Sequence, residues 1–313
     1  MYDITTFGEI LIDFTPFGTS DNGNALYEEN PGGAPANVAV AAKRLGRNAA
    51  FIGKVGDDLH GELLEKTLKE EGVSTIGLVK DPDYYTTLAC VALNDGERSF
   101  SFARKPGADT KLRKDEVSTD ILENTKIFHC GSLSLTDEPA RSATLFALKH
   151  AKESGAIISY DPNYRELLWD SQEEAKVQMR SVIPYVDIIK ISDEETKLLT
   201  DHEDPIMAAE ALIDQGVSCV VITLGKDGAL MKTKSFLVEE KGKARRAIDT
   251  TGAGDAFCGG ILSCFVHYKL RPEELSKEDG NKFLQFANTA AGLCVEKRGA
   301  IPALPTLEDV LNQ

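Results

Sequence analysis

The stretch D-T-T-G-A-G-D-A-F, residues 249–257, decides the reading of this chain. Three small residues, Gly252, Ala253 and Gly254, stand between two aspartates, and the apolar run CGGILSCF follows at once. An apolar run after glycines reads as a core helix beginning near 253–255. Small residues let backbone N–H groups approach an anion closely, and the positive end of a helix dipole points to the same place. Asp255 then falls in the first turn. One alternative is bland: aspartate is a common helix cap, worth ~1 kcal/mol. The clustering of Asp249 and Thr251 beside it supplies more polar groups than one cap requires.

Outward from this stretch, short β-rich runs alternate with helical ones. ITTFGEILIDF opens as a strand, 34–46 reads as a helix ending at Gly46, and NAAFIGKVG is a strand. GELLEKTLKEEG (61–72) is an amphipathic helix. KIFHCGSLSL, AIISYDPN, DIIKIS, CVVITLG, ALMKT and SFLVEE read as further strands. Helical patterns cover 138–154, 171–185, 204–215, 254–268 and 282–297. Apolar strands alternating with helices predict a parallel sheet covered on both faces. Two regions depart from this. Residues 86–104 read as a hairpin with its turn at Asn94-Asp95-Gly96, and 12–31 are polar and weakly β. They predict a small β lid (12–31 and 86–104) on a core formed by 1–11, 32–85 and 105–313.

The bulk numbers narrow the function. The chain has 313 residues and a net charge of −15, which disfavours nucleic acid as a partner. A phosphate site in such a protein must be built locally, from amides and a few cations. Six cysteines form no CxxC pair and five histidines show no metal spacing, so free, buried thiols in a reducing cytoplasm are expected. No run is apolar for long enough to span a membrane, and the opening MYDITTFGEI does not read as a signal peptide. There is no GxxxxGK[ST], no GxGxxG after the first strand, no HRD or DFG and no GxSxG.

Other candidates lie at strand ends and helix starts. NPGGAPANVA (30–39) brings Gly32 and Gly33 to the start of a helix that carries Asn37; a plain loop before an alanine-rich helix is the alternative. Asp13 closes GEILIDF, where α/β sheets place ligand sites. Asp161, Asn163 and Arg165 in SYDPNYRELLW could face anionic groups, and Lys190 and Glu195 in IIKISDEE could face phosphate and metal. Each is equally readable as a solvated loop or an acidic helix start.

Together these motifs resemble the ribokinase-like (PfkB-type) carbohydrate kinases, and most closely the fructokinases. GEILIDF, NPGGAPANVAVAAKRLGRNAAFIGKVGDDLHG, SFARKPGAD, DPNYRELLW and DTTGAGDAFCGGIL carry the likeness in order along nearly the whole chain. The resemblance implies a three-layer α/β/α core with a mainly parallel central sheet and a small β-sheet lid. It implies ATP-dependent phosphorylation of a sugar, D-fructose first, with Asp255 as general base and an anion hole from Gly252, Ala253, Gly254 and Asp255. Asp13, Gly32, Gly33, Asn37 and Arg165 would bind the sugar, and Arg104 would close over it. Lys190, Glu195, Thr223, Gly225, Gly228 and Asn288 match the nucleotide side. Mg²⁺ would be held through water by Glu195, although Ser192 stands where ribokinases carry asparagine. Asp249, Thr251 and Gly299 match a monovalent-cation site, implying K⁺ activation. The lids of this family often pair, implying a homodimer. A 2-keto-3-deoxygluconate kinase, reading a carboxylate with Arg104 and Arg165, is the nearest alternative. A non-catalytic sugar-binding regulator is the alternative from another class.

Overall fold

The computed structural model describes residues 1–94, 97–243 and 245–313. Thirteen strands form two sheets among them. The larger has nine: β1 (Tyr2–Phe7), β4 (Ala49–Gly56), β5 (Ser74–Asp81), β8 (Thr125–Cys130), β9 (Ile157–Tyr160), β10 (Ile188–Ser192), β11 (Cys219–Thr223), β12 (Gly228–Thr233) and β13 (Leu237–Lys241). Their spatial order is β13-β12-β11-β10-β9-β8-β1-β4-β5. All neighbours from β11 to β5 run parallel, and β12 and β13 add an antiparallel edge.

Both faces of this sheet are covered, which is why its strands read as continuous apolar runs. In β11, Cys219 and Val221 pack into one core while Val220 and Ile222 pack into the other. On the first face lie α1 (Ala34–Arg44), α2 (Leu59–Glu70), α8 (Ala253–Tyr268) and α9 (Lys277–Cys294). On the second lie α3 (Thr119–Glu123), α4 (Ala140–Glu153), α5 (Gln172–Ser181) and α7 (Pro205–Asp214). The short helices α6 (Thr196–Thr200) and α10 (Leu307–Leu311) complete the set. The glycine pair inside α8 has a packing reason. A Cβ on Gly259 would lie 2.6 Å from Ala41 Cβ, and one on Gly260 3.0 Å from Ala287 Cα. The pair lets α8 settle between α1 and α9.

The smaller sheet has the order β3-β2-β6-β7, built from β2 (Leu11–Thr19), β3 (Ala25–Gly32), β6 (Leu88–Asn94) and β7 (Glu97–Ala103). Residues 86–104 pair as an antiparallel hairpin, as expected; Asp95 and Gly96 of its turn lie outside the described residues.

Four expectations are corrected. ITTFGEILIDF is two strands rather than one, because the chain leaves the large sheet at Gly8 (φ 146°) and enters the small one at Leu11. Residues 25–32 form a regular strand paired to β2. β5, absent from the sequence reading, pairs with β4 at the sheet edge. Cys90 is exposed, whereas the other five thiols are buried; all six are free.

Candidate active site

α8 starts at the carboxyl edge of the parallel strands, where open α/β sheets gather their ligand sites. Its N-cap is Gly252 in the left-handed region (φ 77°), and no side chain caps it. A Cβ at Gly252 would come 3.1 Å from Ala300 Cα, so conformation and space both call for glycine here. The first N–H groups of a helix lack intrahelical partners; in α8 the Ala253 N–H donates back to the Thr250 carbonyl at 3.3 Å, while Gly252, Gly254 and Asp255 line the cavity.

Asp255 does not close back onto its own helix. Asn37, from the first turns of α1, donates through Nδ2 to Asp255 Oδ2 at 2.8 Å. Asp255 is 9% exposed. Burial pushes its carboxyl up to about 6; the Asn37 hydrogen bond and the charges of Lys190 and Arg165 oppose that, and Asp161 adds to it. A carboxyl near neutrality is suited to accepting a proton.

The cavity measures about 780 Å³ and takes residues from both sheets, with Asp13, Thr15, Glu28 and Phe102 from the small one. Asp13 is half-buried and raised to about 6, mainly by burial; Arg165 opposes the shift, while Asp255 and Asp249 add to it. The two glycines have separate jobs. A Cβ on Gly32 would fall 2.4 Å from Asp13 Oδ2, so Gly32 makes room for that carboxylate. Gly33 sits at φ 106°, and a Cβ there would lie 2.7 Å from the Glu9 carbonyl oxygen. Gly33, Asn37, Arg165, Lys190, Asp249, Thr251, Gly252, Gly254, Asp255 and Gly299 line the same space.

Asp249 ties the approach loop together. Its Oδ1 accepts from the Thr251 N–H at 3.0 Å and from Thr251 Oγ1 at 2.7 Å, and its Oδ2 accepts from the Gly299 N–H at 3.1 Å. Three sequence candidates thus converge on one loop pair, in which the Asp249 carboxylate and the Thr251 hydroxyl are hard oxygen groups of the kind that suits alkali and alkaline-earth cations. Among the described residues, no group of three or more His, Cys, Asp or Glu could hold a metal by itself.

Other candidates stand apart. Glu195 is buried; its Oε1 accepts from the Tyr164 N–H at 2.7 Å and its Oε2 from Ser192 N–H and Oγ. Thr223 pairs in register with Ser192 at the ends of β11 and β10, Gly225 and Gly228 take φ of 55° and 111°, and Asn288 donates to the Glu240 carbonyl. These residues share the carboxyl edge but do not line the 780 Å³ cavity. Arg104 differs most from its expected place. Its guanidinium is buried, bonded to Asp109, to Thr136 Oγ1 and to the Leu133 carbonyl, and it does not line the cavity. Its neighbours hold it as a brace between β7 and the core.

Glu9 is the residue the sequence reading passed over. It lines the cavity, is 3% exposed and is raised to about 7 by burial. Its Oε1 accepts from the N–H of Ala34, the first residue of α1. A charged residue directly after an apolar strand was the available signal.

A mainly parallel sheet between two helical layers, with a second sheet over its carboxyl edge and an uncapped helix start facing an aspartate, is a ribokinase-like architecture arranged for phosphoryl chemistry. The pfkB family carbohydrate kinase model matches residues 1–307, and the chain belongs to that family. It is 44% identical over 313 residues to probable fructokinase-3 of Arabidopsis thaliana, covering 99% of this chain and 90% of the relative. Among solved structures it is similar to a fructokinase with bound ATP from Xylella fastidiosa (TM-score 0.92, 33% identity, 99% of this chain and 97% of that one). It is also similar to a double mutant of the Vibrio cholerae O395 fructokinase bound to fructose, ADP and potassium ion (TM-score 0.88, 34% identity, 99% and 98%).

Proposed function

We propose that the protein is an ATP-dependent fructokinase that converts D-fructose to D-fructose 6-phosphate. One observation carries the reading: the first turn of α8 is uncapped, and its aspartate turns to Asn37 instead of to the helix. Asp255 takes the proton of the sugar's primary hydroxyl. The hydroxyl oxygen bonds to the γ-phosphorus of ATP, the bond from that phosphorus to the bridging oxygen breaks, and ADP leaves. Charge gathering on the transferred group meets the N–H groups of Gly252, Ala253, Gly254 and Asp255 and the ammonium of Lys190. Such fixed donors act without reorganising, which is where phosphoryl transfer gains most of its rate.

Asp13, Gly32, Gly33, Asn37 and Arg165 bind the sugar in this reading; Asp13 from β2 and Asn37 from α1 supply polar contacts. Thr223, Gly225, Gly228 and Asn288 hold the nucleotide. Glu195 fits a water-mediated hold on Mg²⁺, because its buried Oε1 accepts one N–H and keeps acceptor capacity. Asp249, Thr251 and the Gly299 loop fit K⁺. Bound there, these ions would neutralise phosphate charge and firm the loop around the anion hole. The small sheet acts as the lid over the sugar. Its exposed Phe17, Leu26 and Tyr27 support pairing of lids in a homodimer. No helix among the described residues is long and apolar enough to cross a membrane, and the six free thiols support a cytoplasmic setting.

The fructokinase names of the relatives support fructose as the substrate. A keto-acid sugar is a weaker fit, since Arg104, one of the two arginines expected to read its carboxylate, is committed to Asp109 and does not line the cavity. The test is a coupled ADP-release assay with ATP and Mg²⁺ across fructose, ribose, glucose, tagatose and 2-keto-3-deoxygluconate. It is run in K⁺ and again in a bulky organic cation. The kcat/KM for fructose should stand far above the rest, and K⁺ should raise it. Equal rates in both cations would remove the cation site, and strong preference for another sugar would replace the substrate. Silence across the panel would favour a non-catalytic sugar-binding regulator.

A further inference from the structure

Beneath the anion hole lies a buried ion pair whose carboxylate has no role so far. Asp161 follows β9 and is 3% exposed; Lys190 lies on β10. Lys190 Nζ donates to Asp161 Oδ2 at 2.9 Å. Asp161 Oδ1 is buried with no hydrogen-bond partner among the described residues, so Lys190 is the one partner of that carboxylate. Lys190 lines the cavity, whereas Asp161 does not. The ammonium lies against the first turn of α8: a Cβ built on Gly254 would sit 3.2 Å from Lys190 Nζ. Any side chain at 254 would meet the cation. A lone lysine has a flexible stem and would turn to water; this one is fixed from behind.

We propose that Asp161 is the positioning residue for Lys190, holding its ammonium at the start of α8 so that the cation meets the group transferred to the hydroxyl that Asp255 activates. The inference rests on the kinase reading above and deepens it. Burial alone would strip a proton from Lys190, yet Asp161 and Glu195 keep it charged, above its ordinary value. The pair also reaches Asp255. The charged groups acting on that carboxyl are Asp161 (after β9), Lys190 (β10), Arg165 (the loop after β9) and Asp13 (β2), and the thiols of Cys258 (α8) and Cys294 (α9) feel its charge. Asp161 raises the proton affinity of Asp255 and Lys190 lowers it. Neutralising Asp161 therefore leaves Lys190 less opposed, and Asp255 should ionise at lower pH.

Asp161→Asn keeps the shape and removes the charge. Its kcat should fall about 10- to 100-fold, the scale of losing the partner that orients a working group. The KM for fructose should stay within about threefold, since the pair faces the transferred group rather than the sugar. The acid limb of kcat/KM should move to lower pH, a shift that a purely structural role would not produce. The second variant is the charge-neutral double, Asp161→Asn with Lys190→Met, compared with Lys190→Met alone. If Asp161 acts through Lys190, the two should turn over at the same rate. An unmoved acid limb, or losses that multiply in the double, overturns the proposal. Lack of turnover by the unaltered enzyme with every sugar in the panel would instead sink the kinase reading.

Discussion

Two helices on the same face of the sheet place an aspartate at the same point of their first turn and use it differently. In α9 the N-cap is Ser276 and the third residue is Asp279. The serine accepts from the Asp279 N–H, and the aspartate reaches back to the Ser276 N–H and hydroxyl. α10 repeats the arrangement with Thr306 and Asp309, whose carboxyl is held below the ordinary carboxylate range by the Thr306 N–H and hydroxyl. In α8 the N-cap is Gly252 and the third residue is Asp255. Glycine offers no hydroxyl, the carboxylate turns to Asn37, and burial raises it to about 6. One residue type at one helix position thus becomes a cap or, in the proposed reading, a proton acceptor, according to whether its N-cap can hold it. A closed capping box satisfies the helix's own donors. An open one leaves them for a ligand.

The largest test of this contrast removes the carboxylate's charge. Asp255→Asn should cut kcat between about 10² and 10⁴-fold, the usual worth of a general base, with fructose and ATP binding retained. Steady-state kinetics beside ligand titrations will check it. The next converts one helix start into the other. Gly252→Ser supplies the missing hydroxyl, but at φ 77° and 3.1 Å from Ala300, so the loop must shift. A displacement of about 1 Å near the reacting group can cost on the order of 10²-fold in rate, and kcat for this variant should fall by a similar factor.

Stability should run the other way at Asp255. Its folded carboxyl binds a proton more tightly than the unfolded one, which titrates at an ordinary 3.8. The stabilisation is full below 3.8 and is lost as pH rises through about 6. Asn cannot ionise. Asp255→Asn should therefore be more stable than the parent at pH 8, by up to about 3 kcal/mol, with no such gain at pH 4. Denaturant unfolding at the two pH values measures this. The smallest effect belongs to α9: Asp279→Ala should cost about 1 kcal/mol and leave kcat unchanged.

Much of this was legible in the sequence, for physical reasons. The parallel core showed because strands buried on both faces are largely apolar, as in residues 219–222 of β11. The start of α8 showed because glycine and alanine beside aspartate suit a close anion approach. What depended on tertiary pairing did not show. β5 mixes buried and open positions at a sheet edge, and its strand state comes from β4. The break at Gly8–Ile10 carries no turn signal, only a glycine where the chain changes sheets. The start of α9 at Lys277 rather than 282 lies in a polar segment whose signal was the Ser276–Asp279 box. At the site, Asp13, Asn37 and the two aspartates of DTTGAGDAF converge on one cavity. Arg104 went elsewhere because Asp109, five residues on, was there to bind it. Glu9 was hidden because its partner, the Ala34 N–H, lies 25 residues away.

The most direct measurement sets the two aspartates side by side: kcat with fructose and ATP, and unfolding free energy at pH 8, for Asp255→Asn and Asp279→Ala. The account predicts a crossed result, in which the first variant loses turnover and holds or gains stability, while the second loses stability and keeps turnover. An Asp255→Asn enzyme that turns over normally but unfolds more easily would mean that Asp255 is a cap like the others.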